Sequence, residues 1–251
     1  MFIKKKMRVV AMIPARYNAS RLPGKLLLDL AGMPVIQRTY QSVLESELFD
    51  EVYVVTDSKE IQTLIENIGG SVFFSKKNHV CGTDRIAEFA TETKAEIIIN
   101  VQGDEPFVDK KSLKNIINVF FEDKKKEIDL ASTMQIIDNN DLKNPNKVKV
   151  LVDENNFALD FYRLNTNYLK REAEKIRFFK HLGVYGFRLS SLMDFYNSEP
   201  TLREKNEKLE QLRYLERGKK IKMILTNYKS VSIDVMDDLV VARKIINAYD
   251  S

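Results

Sequence analysis

Val9-Val10-Ala11-Met12-Ile13-Pro14-Ala15-Arg16-Tyr17-Asn18-Ala19-Ser20-Arg21-Leu22-Pro23-Gly24-Lys25 joins an apolar run to a basic loop. The run Val9 to Met12 reads as a buried first strand, since continuous short apolar segments suit parallel strands covered on both faces. Arg16, Arg21 and Lys25 then fall within ten residues, and Pro14, Pro23 and Gly24 restrict the shape of the turn. Charge alone is also met by a solvated surface turn between a strand and a helix. A strand ending in a basic, Pro/Gly-shaped loop suits a polyphosphate better: the cations neutralise it and backbone N–H groups cradle it. On that reading the chain is a nucleotide-using enzyme. The loop has no G-x-x-x-x-G-K-[ST] and no G-x-G-x-x-G, which excludes a Walker P-loop and a dinucleotide fingerprint.

A second strand end carries Ile97-Ile98-Ile99-Asn100-Val101-Gln102-Gly103-Asp104-Glu105-Pro106. The β-branched run predicts a central parallel strand, and Asp104 then stands at its carboxyl end, where open α/β sheets bind ligands. A carboxylate there suits Mg²⁺, which takes one or two carboxylates plus phosphate oxygens. The alternative is a cap of the next helix, although Ser112 is better placed for that. Near the C-terminus, Val231-Ser232-Ile233-Asp234-Val235 reads as a short strand. The helix after it, 236–249, turns Leu239, Val240, Ala242, Ile245 and Ile246 inward. Asp234 is either a second metal carboxylate at a strand end or a cap.

Four segments in order carry a family resemblance. They are Pro14-Ala15-Arg16 through Pro23-Gly24-Lys25; Asn100 through Pro106; Lys180-His181-Leu182-Gly183-Val184-Tyr185-Gly186-Phe187; and Lys208-Leu209-Glu210-Gln211-Leu212-Arg213. Together they resemble the 3-deoxy-manno-octulosonate cytidylyltransferases, or CMP-Kdo synthetases, from about residue 7 to about residue 247. The resemblance implies that CTP and Kdo, an acidic eight-carbon sugar, give CMP-Kdo and pyrophosphate with Mg²⁺, for lipopolysaccharide biosynthesis. It implies that Arg16, Lys25, Asp104 and Asp234 are catalytic, with Asp104 and Asp234 holding the metal. Pro14, Ala15, Arg16, Arg21, Lys25, Cys81, Gly82 and Thr83 are then expected at the nucleotide. Arg85, Gln102, Arg163, His181, Tyr185, Glu210 and Gln211 are expected at the sugar. A homodimer is implied as well.

Three places depart from the family pattern. Cys81 replaces the usual Ser. Tyr162-Arg163-Leu164-Asn165-Thr166-Asn167 replaces Ser-Arg-x-x-Ile-Pro. Ile233-Asp234-Val235-Met236 replaces Asp-Thr-Pro, which removes a capping Thr and a Pro at the first helical position. The alternatives to Kdo activation are CMP activation of another acidic sugar, such as 8-amino-Kdo, and an inactive nucleotide-binding homologue.

Forty cations against 36 anions leave a net charge of +4, too small for a nucleic-acid partner. One cysteine excludes an intrachain disulfide framework. Met1 to Lys6 is basic but no apolar segment of signal-peptide kind follows, and no run reaches transmembrane length. A cytoplasmic chain without a membrane partner is expected.

Strands are predicted at 8–14, 51–56, 71–74 and 96–101, and helices at about 34–47, 58–67, 83–92 and 111–122. That alternation predicts an α/β fold with a doubly wound, mostly parallel sheet. Strands 148–152 and 157–163 are expected to pair around Asp153-Glu154-Asn155-Asn156. A strand at 180–188 and helices near 190–197 and 205–217 follow. The chain is expected to form one domain, 1–251, with a small α+β sugar-binding and dimerisation subdomain at about 155–217.

Overall fold

β1 (Val9–Ala15) is buried along all seven residues, as a strand covered by helices on both faces must be. It pairs in parallel with β2 (Glu51–Thr56) on one side and β4 (Ile97–Asn100) on the other, and β2 pairs in parallel with β3 (Val72–Phe74). The spatial order β3-β2-β1-β4 reverses between β1 and β4. Loops that leave the carboxyl ends of two such strands diverge and open a crevice. Met12 faces Asn100, the last residue of β4, and β1 runs on beyond that pair to Ala15.

The computed structural model describes residues 7–17, 21–77, 79, 81–163, 177–228 and 231–249. The chain divides into two compact units, Met1–Leu113 with Lys229–Ser251, and Lys114–Tyr228. In the first, α1 (Val35–Glu45), α2 (Lys59–Asn67) and α3 (Gly82–Ala90) connect the strands. Each has an apolar stripe at helical spacing; on α2 it is Ile61 and Ile65, both fully buried. Truncating either to Ala would cost about 2–5 kcal/mol. Ser58 caps α2 by accepting from the Ile61 N–H at 3.3 Å, and Gly69, at φ 76°, takes the left-handed turn that ends it.

In the second unit β5 (Leu130–Ile136) lies between β8 (Arg177–Arg188), antiparallel, and β9 (Ile221–Leu225), parallel. β6 (Lys149–Val152) pairs antiparallel with β7 (Ala158–Tyr162) and with β8. α4 (Lys110–Glu122) carries the chain into this unit, and α5 (Asn139–Lys143), α6 (Leu189–Tyr196), α7 (Leu202–Glu207) and α8 (Gln211–Glu216) complete it. α9 (Met236–Tyr249) returns to the first unit.

Several expectations need correction. Residues 231–235 join no strand; Ile233 instead donates its N–H to Asp104 O at 2.9 Å. On α9, Leu239, Ala242 and Ile246 are buried as expected, whereas Val240 is 44% exposed. Asp109, not Ser112, caps α4: its Oδ2 accepts from the Ser112 N–H at 3.0 Å. The helix expected over 205–217 is two helices. Lys208 adopts φ 55° and donates to Glu204 O at 2.8 Å, closing α7 before α8 begins. β5 and β9 were not anticipated. Ser132 and Thr133 interrupt the apolar run of β5, and Lys222 interrupts β9. Of the departures at 162–167, residues 164–167 lie outside the described residues.

Candidate active site

Lys25 is the centre of the charged cluster in the first unit. Gly24 reaches φ 68°, a turn that favours glycine, and donates to Tyr17 O at 3.0 Å. The turn starts a 3-10 helix (Lys25–Leu27) and buries the Lys25 side chain to 9% exposure. Its ammonium pairs with Asp104 Oδ2 and, at 3.0 Å, with Asp234 Oδ1. Arg21 Nη2 reaches the same Asp234 oxygen at 2.9 Å. Two carboxylates distant in sequence therefore converge on one cation.

The backbone explains how they get there. Val101 continues the β1–β4 ladder by donating to Met12 O at 3.1 Å. Gly103 then passes so close to β1 that a Cβ would stand 3.0 Å from Pro14 O. Thr39 Oγ1 holds the Gly103 carbonyl at 2.9 Å. Glu105 closes the turn by donating to Gln102 O at 3.1 Å, which leaves Asp104 at its apex. Asp234 arrives through the Ile233–Asp104 backbone bond. It is then fixed by Asp238, whose Oδ2 accepts from the N–H groups of Asp234 and Val235, both at 2.9 Å. Asp238 lies in the first turn of α9 and reaches back over the helix start. This replaces the capping lost with the Thr and Pro of the family pattern.

Glu105 is a functional candidate that sequence reasoning passed over. Burial, and then the negative charges of Asp104 and Asp234, push its carboxyl up to about 8. The signal was visible as two adjacent acids at a strand end. Among the described residues no group of three His, Cys, Asp or Glu is arranged to hold a metal. The donor set is two carboxylates meeting at one ammonium, which fits an ion that completes its shell with phosphate oxygens and water, as Mg²⁺ does.

The N-terminus of α3 lies against this strand end. A Cβ on Gly82 would stand 3.1 Å from Pro14 Cγ and 3.9 Å from Gln102 Oε1, so the absence of a side chain eases this close approach. Cys81 keeps the capping role of the Ser it replaces: its Sγ accepts from the Asp84 N–H at 3.4 Å. Thr83 is buried on the same turn, and Ala15 is buried at the end of β1. Arg16 is exposed and makes no hydrogen bond or ion pair among the described residues. Arg85 is buried and donates to Asp57 Oδ2 at 2.6 Å. In this structure it braces the end of β2.

The second unit carries the other expected residues. His181 and Tyr185 are buried on one face of β8, with ring centroids 5.4 Å apart. Phe161 meets the His181 ring edge-on at 5.1 Å. Burial drives the His181 imidazole down to about 3, so it is neutral. Arg163 follows β7; its guanidinium donates to Glu207 O at 3.2 Å and Pro145 O at 3.4 Å. Its own carbonyl accepts from the buried Lys149 Nζ at 2.7 Å. Glu210 is the residue before α8 and Gln211 is its buried first residue. Arg213, in the same motif, holds Glu204 through two hydrogen bonds at 2.7 and 2.5 Å and lies 3.7 Å from the Phe195 ring centroid. It braces α7 against α8.

Similarity to known proteins agrees with this geometry. A family model described as Cytidylyltransferase matches residues 10–221. The 3-deoxy-manno-octulosonate cytidylyltransferase of Christiangramia forsetii is 51% identical over 96% of this chain and 98% of its own. That of Flavobacterium johnsoniae is 46% identical over 96% and 99%. The solved structure of CMP:2-keto-3-deoxy-manno-octonic acid synthetase complexed with CTP superposes with a TM-score of 0.88 at 32% identity, covering 96% and 99%. The 4-diphosphocytidyl-2C-methyl-D-erythritol synthase of Anaerococcus prevotii, 15% identical with a TM-score of 0.63, shares the fold. The chain is a nucleotidyltransferase and belongs to the 3-deoxy-manno-octulosonate cytidylyltransferase family.

Proposed function

We propose that this chain transfers CMP from CTP to the anomeric hydroxyl of Kdo and releases pyrophosphate. The observation that carries the reading is the meeting of Asp104 and Asp234 at the Lys25 ammonium, with Arg21 beside them, on the loop that leaves β1. Phosphoryl chemistry of this kind depends on positioning and charge rather than on a covalent intermediate. Arg16, Arg21 and Lys25 neutralise the triphosphate and the charge that grows on departing pyrophosphate. Pro14, Ala15, Cys81, Gly82 and Thr83 form the wall for the nucleotide. Gly82 lets backbone N–H groups approach closely.

Asp104 and Asp234 are the carboxylates that hold Mg²⁺. When bound, the ion lowers the pKa of a coordinated hydroxyl and neutralises phosphate oxygens. Gln102, Arg163, His181, Tyr185, Glu210 and Gln211 orient the sugar; Arg163 can grip its carboxylate with two parallel hydrogen bonds. Arg85 acts through Asp57 at the rim of the nucleotide end. The same reading includes a cytoplasmic homodimer supplying an activated sugar for lipopolysaccharide. Among the described residues no helix is long and apolar enough to cross a membrane.

The test is pyrophosphate release with Mg²⁺ and CTP, comparing Kdo, 8-amino-Kdo and N-acetylneuraminate, with UTP and ATP as nucleotide controls. Release with CTP and Kdo is expected. Release only with another acidic sugar would keep the mechanism and change the substrate. CTP binding without release for any sugar would make the chain an inactive homologue.

A further inference from the structure

Ser132 lies in β5 with no exposed surface, opposite the point where β8 fits in Gly183 and Val184 without partners across the ladder. Three groups surround its hydroxyl oxygen: Val184 O at 2.8 Å, His181 Nε2 at 3.0 Å and Leu182 O at 3.2 Å. A serine hydroxyl has one proton to give. Two of its three neighbours are carbonyls, which only accept. If the proton went to His181, both carbonyl oxygens would face lone pairs with no hydrogen between them. In a buried site that is expensive. If the proton goes to Val184 O, the serine oxygen is left to accept, and His181 Nε2 must carry the hydrogen.

The ring is neutral, so it holds a single proton. With that proton on Nε2, Nδ1 is bare. Nδ1 makes no hydrogen bond among the described residues. We infer that Ser132 is a positioning residue that locks His181 in the Nε2–H tautomer, so that Nδ1 accepts a hydrogen bond from a hydroxyl of the acidic sugar. This rests on the assignment of the second unit to the sugar, and it sharpens that assignment. A bare Nδ1 attracts a hydroxyl and repels a carboxylate oxygen. His181 therefore reads a hydroxyl and leaves the carboxylate to a cation such as Arg163. The β8 bulge takes part as well, because its carbonyls draw the serine proton away from the imidazole.

The test is ¹⁵N spectroscopy of the imidazoles in full-length protein, together with steady-state kinetics. The chain has two histidines, so a His79→Gln variant assigns the remaining signals to His181. The wild-type spectrum should show a protonated Nε2 and a bare Nδ1; a hydrogen on Nδ1 overturns the inference without any variant of Ser132. Ser132→Ala should mix the two tautomers and raise the sugar KM roughly three- to ten-fold, as loss of one ordinary hydrogen bond gives, with the CTP KM unchanged. Ser132→Thr should restore both readouts. An Ala variant with an unaltered tautomer and sugar KM removes Ser132 from the role. Wild-type protein with the expected tautomer but no turnover of any acidic sugar would sink the sugar assignment and leave the proton placement standing.

Discussion

The two units hold their candidate site residues in opposite ways. In the first, charged side chains from separate parts of the chain are held by one another: Arg21, Lys25, Asp104 and Asp234 form a continuous chain of ion pairs. In the second, His181 and Tyr185 project from one face of β8 on either side of its bulge and are buried among rings, with the His181 imidazole neutral. A triphosphate differs from water mainly in charge, so countercharge is the cheapest handle. A sugar differs from other sugars in where its hydroxyls point. Rigid neutral donors and acceptors discriminate that better than mobile charges do.

The largest blow to this contrast should come from Asp104→Asn. It keeps the shape of the turn but halves the carboxylate pair, and turnover should fall about 10²–10³-fold, as loss of a preorganised electrostatic group does. Near-normal kcat in a folded variant would end the metal-ligand assignment. Lys25→Ala comes next. It leaves two carboxylates facing one another without their shared cation, and kcat/KM for CTP should fall about 10²-fold with a raised Mg²⁺ requirement. Unchanged kinetics would return Lys25 to a structural role. Arg163→Lys should raise the sugar KM about ten-fold and leave the CTP KM alone, because Lys cannot make the bidentate grip. An equal rise in both would break the division of labour between the units.

Asp238→Ala should cost about 1 kcal/mol of stability, a usual capping loss, and lower kcat by loosening Asp234. A melting shift with unaltered kcat would show that Asp234 does not need its brace.

The last test concerns pH. The folded state holds His181 near 3, below its ordinary 6.5, so the unfolded chain takes up a proton that the native site refuses. The neutral-histidine contribution is complete above pH 6.5 and is lost as pH falls toward 3, at a rate of up to roughly 1.4 kcal/mol per pH unit. Against a His181→Gln variant, the wild-type advantage in urea unfolding should shrink across that window. A constant difference would mean that the ring is not buried as described.

The first unit was legible because its chemistry is local. Glycine, proline and cations at the end of an apolar run state both the strand and the loop. The β-branched run before Asp104 does the same. Asp234 joins the charged cluster, but not at the end of the strand that its sequence suggests: its segment is held by the Asp104 backbone and by Asp238, a tertiary arrangement with no period to detect. In the second unit, Ser132 and Thr133 break the apolar run of β5. The partners of Ser132 lie 49 to 52 residues away, and only pairing reveals them. Lys208 divides the expected helix by taking a left-handed conformation at the end of α7, which no glycine marks in the sequence.

The bulge in β8 has an evolutionary consequence. It takes up two residues, an even number, so His181 and Tyr185 stay on one face of the strand while the ladder shifts around them. A single-residue insertion or deletion there would turn one of the two rings to the opposite face. Lineages that lengthen or shorten this stretch are therefore free to do so only by pairs, and a length change of one would have to be matched by a second nearby before the protein regained its use.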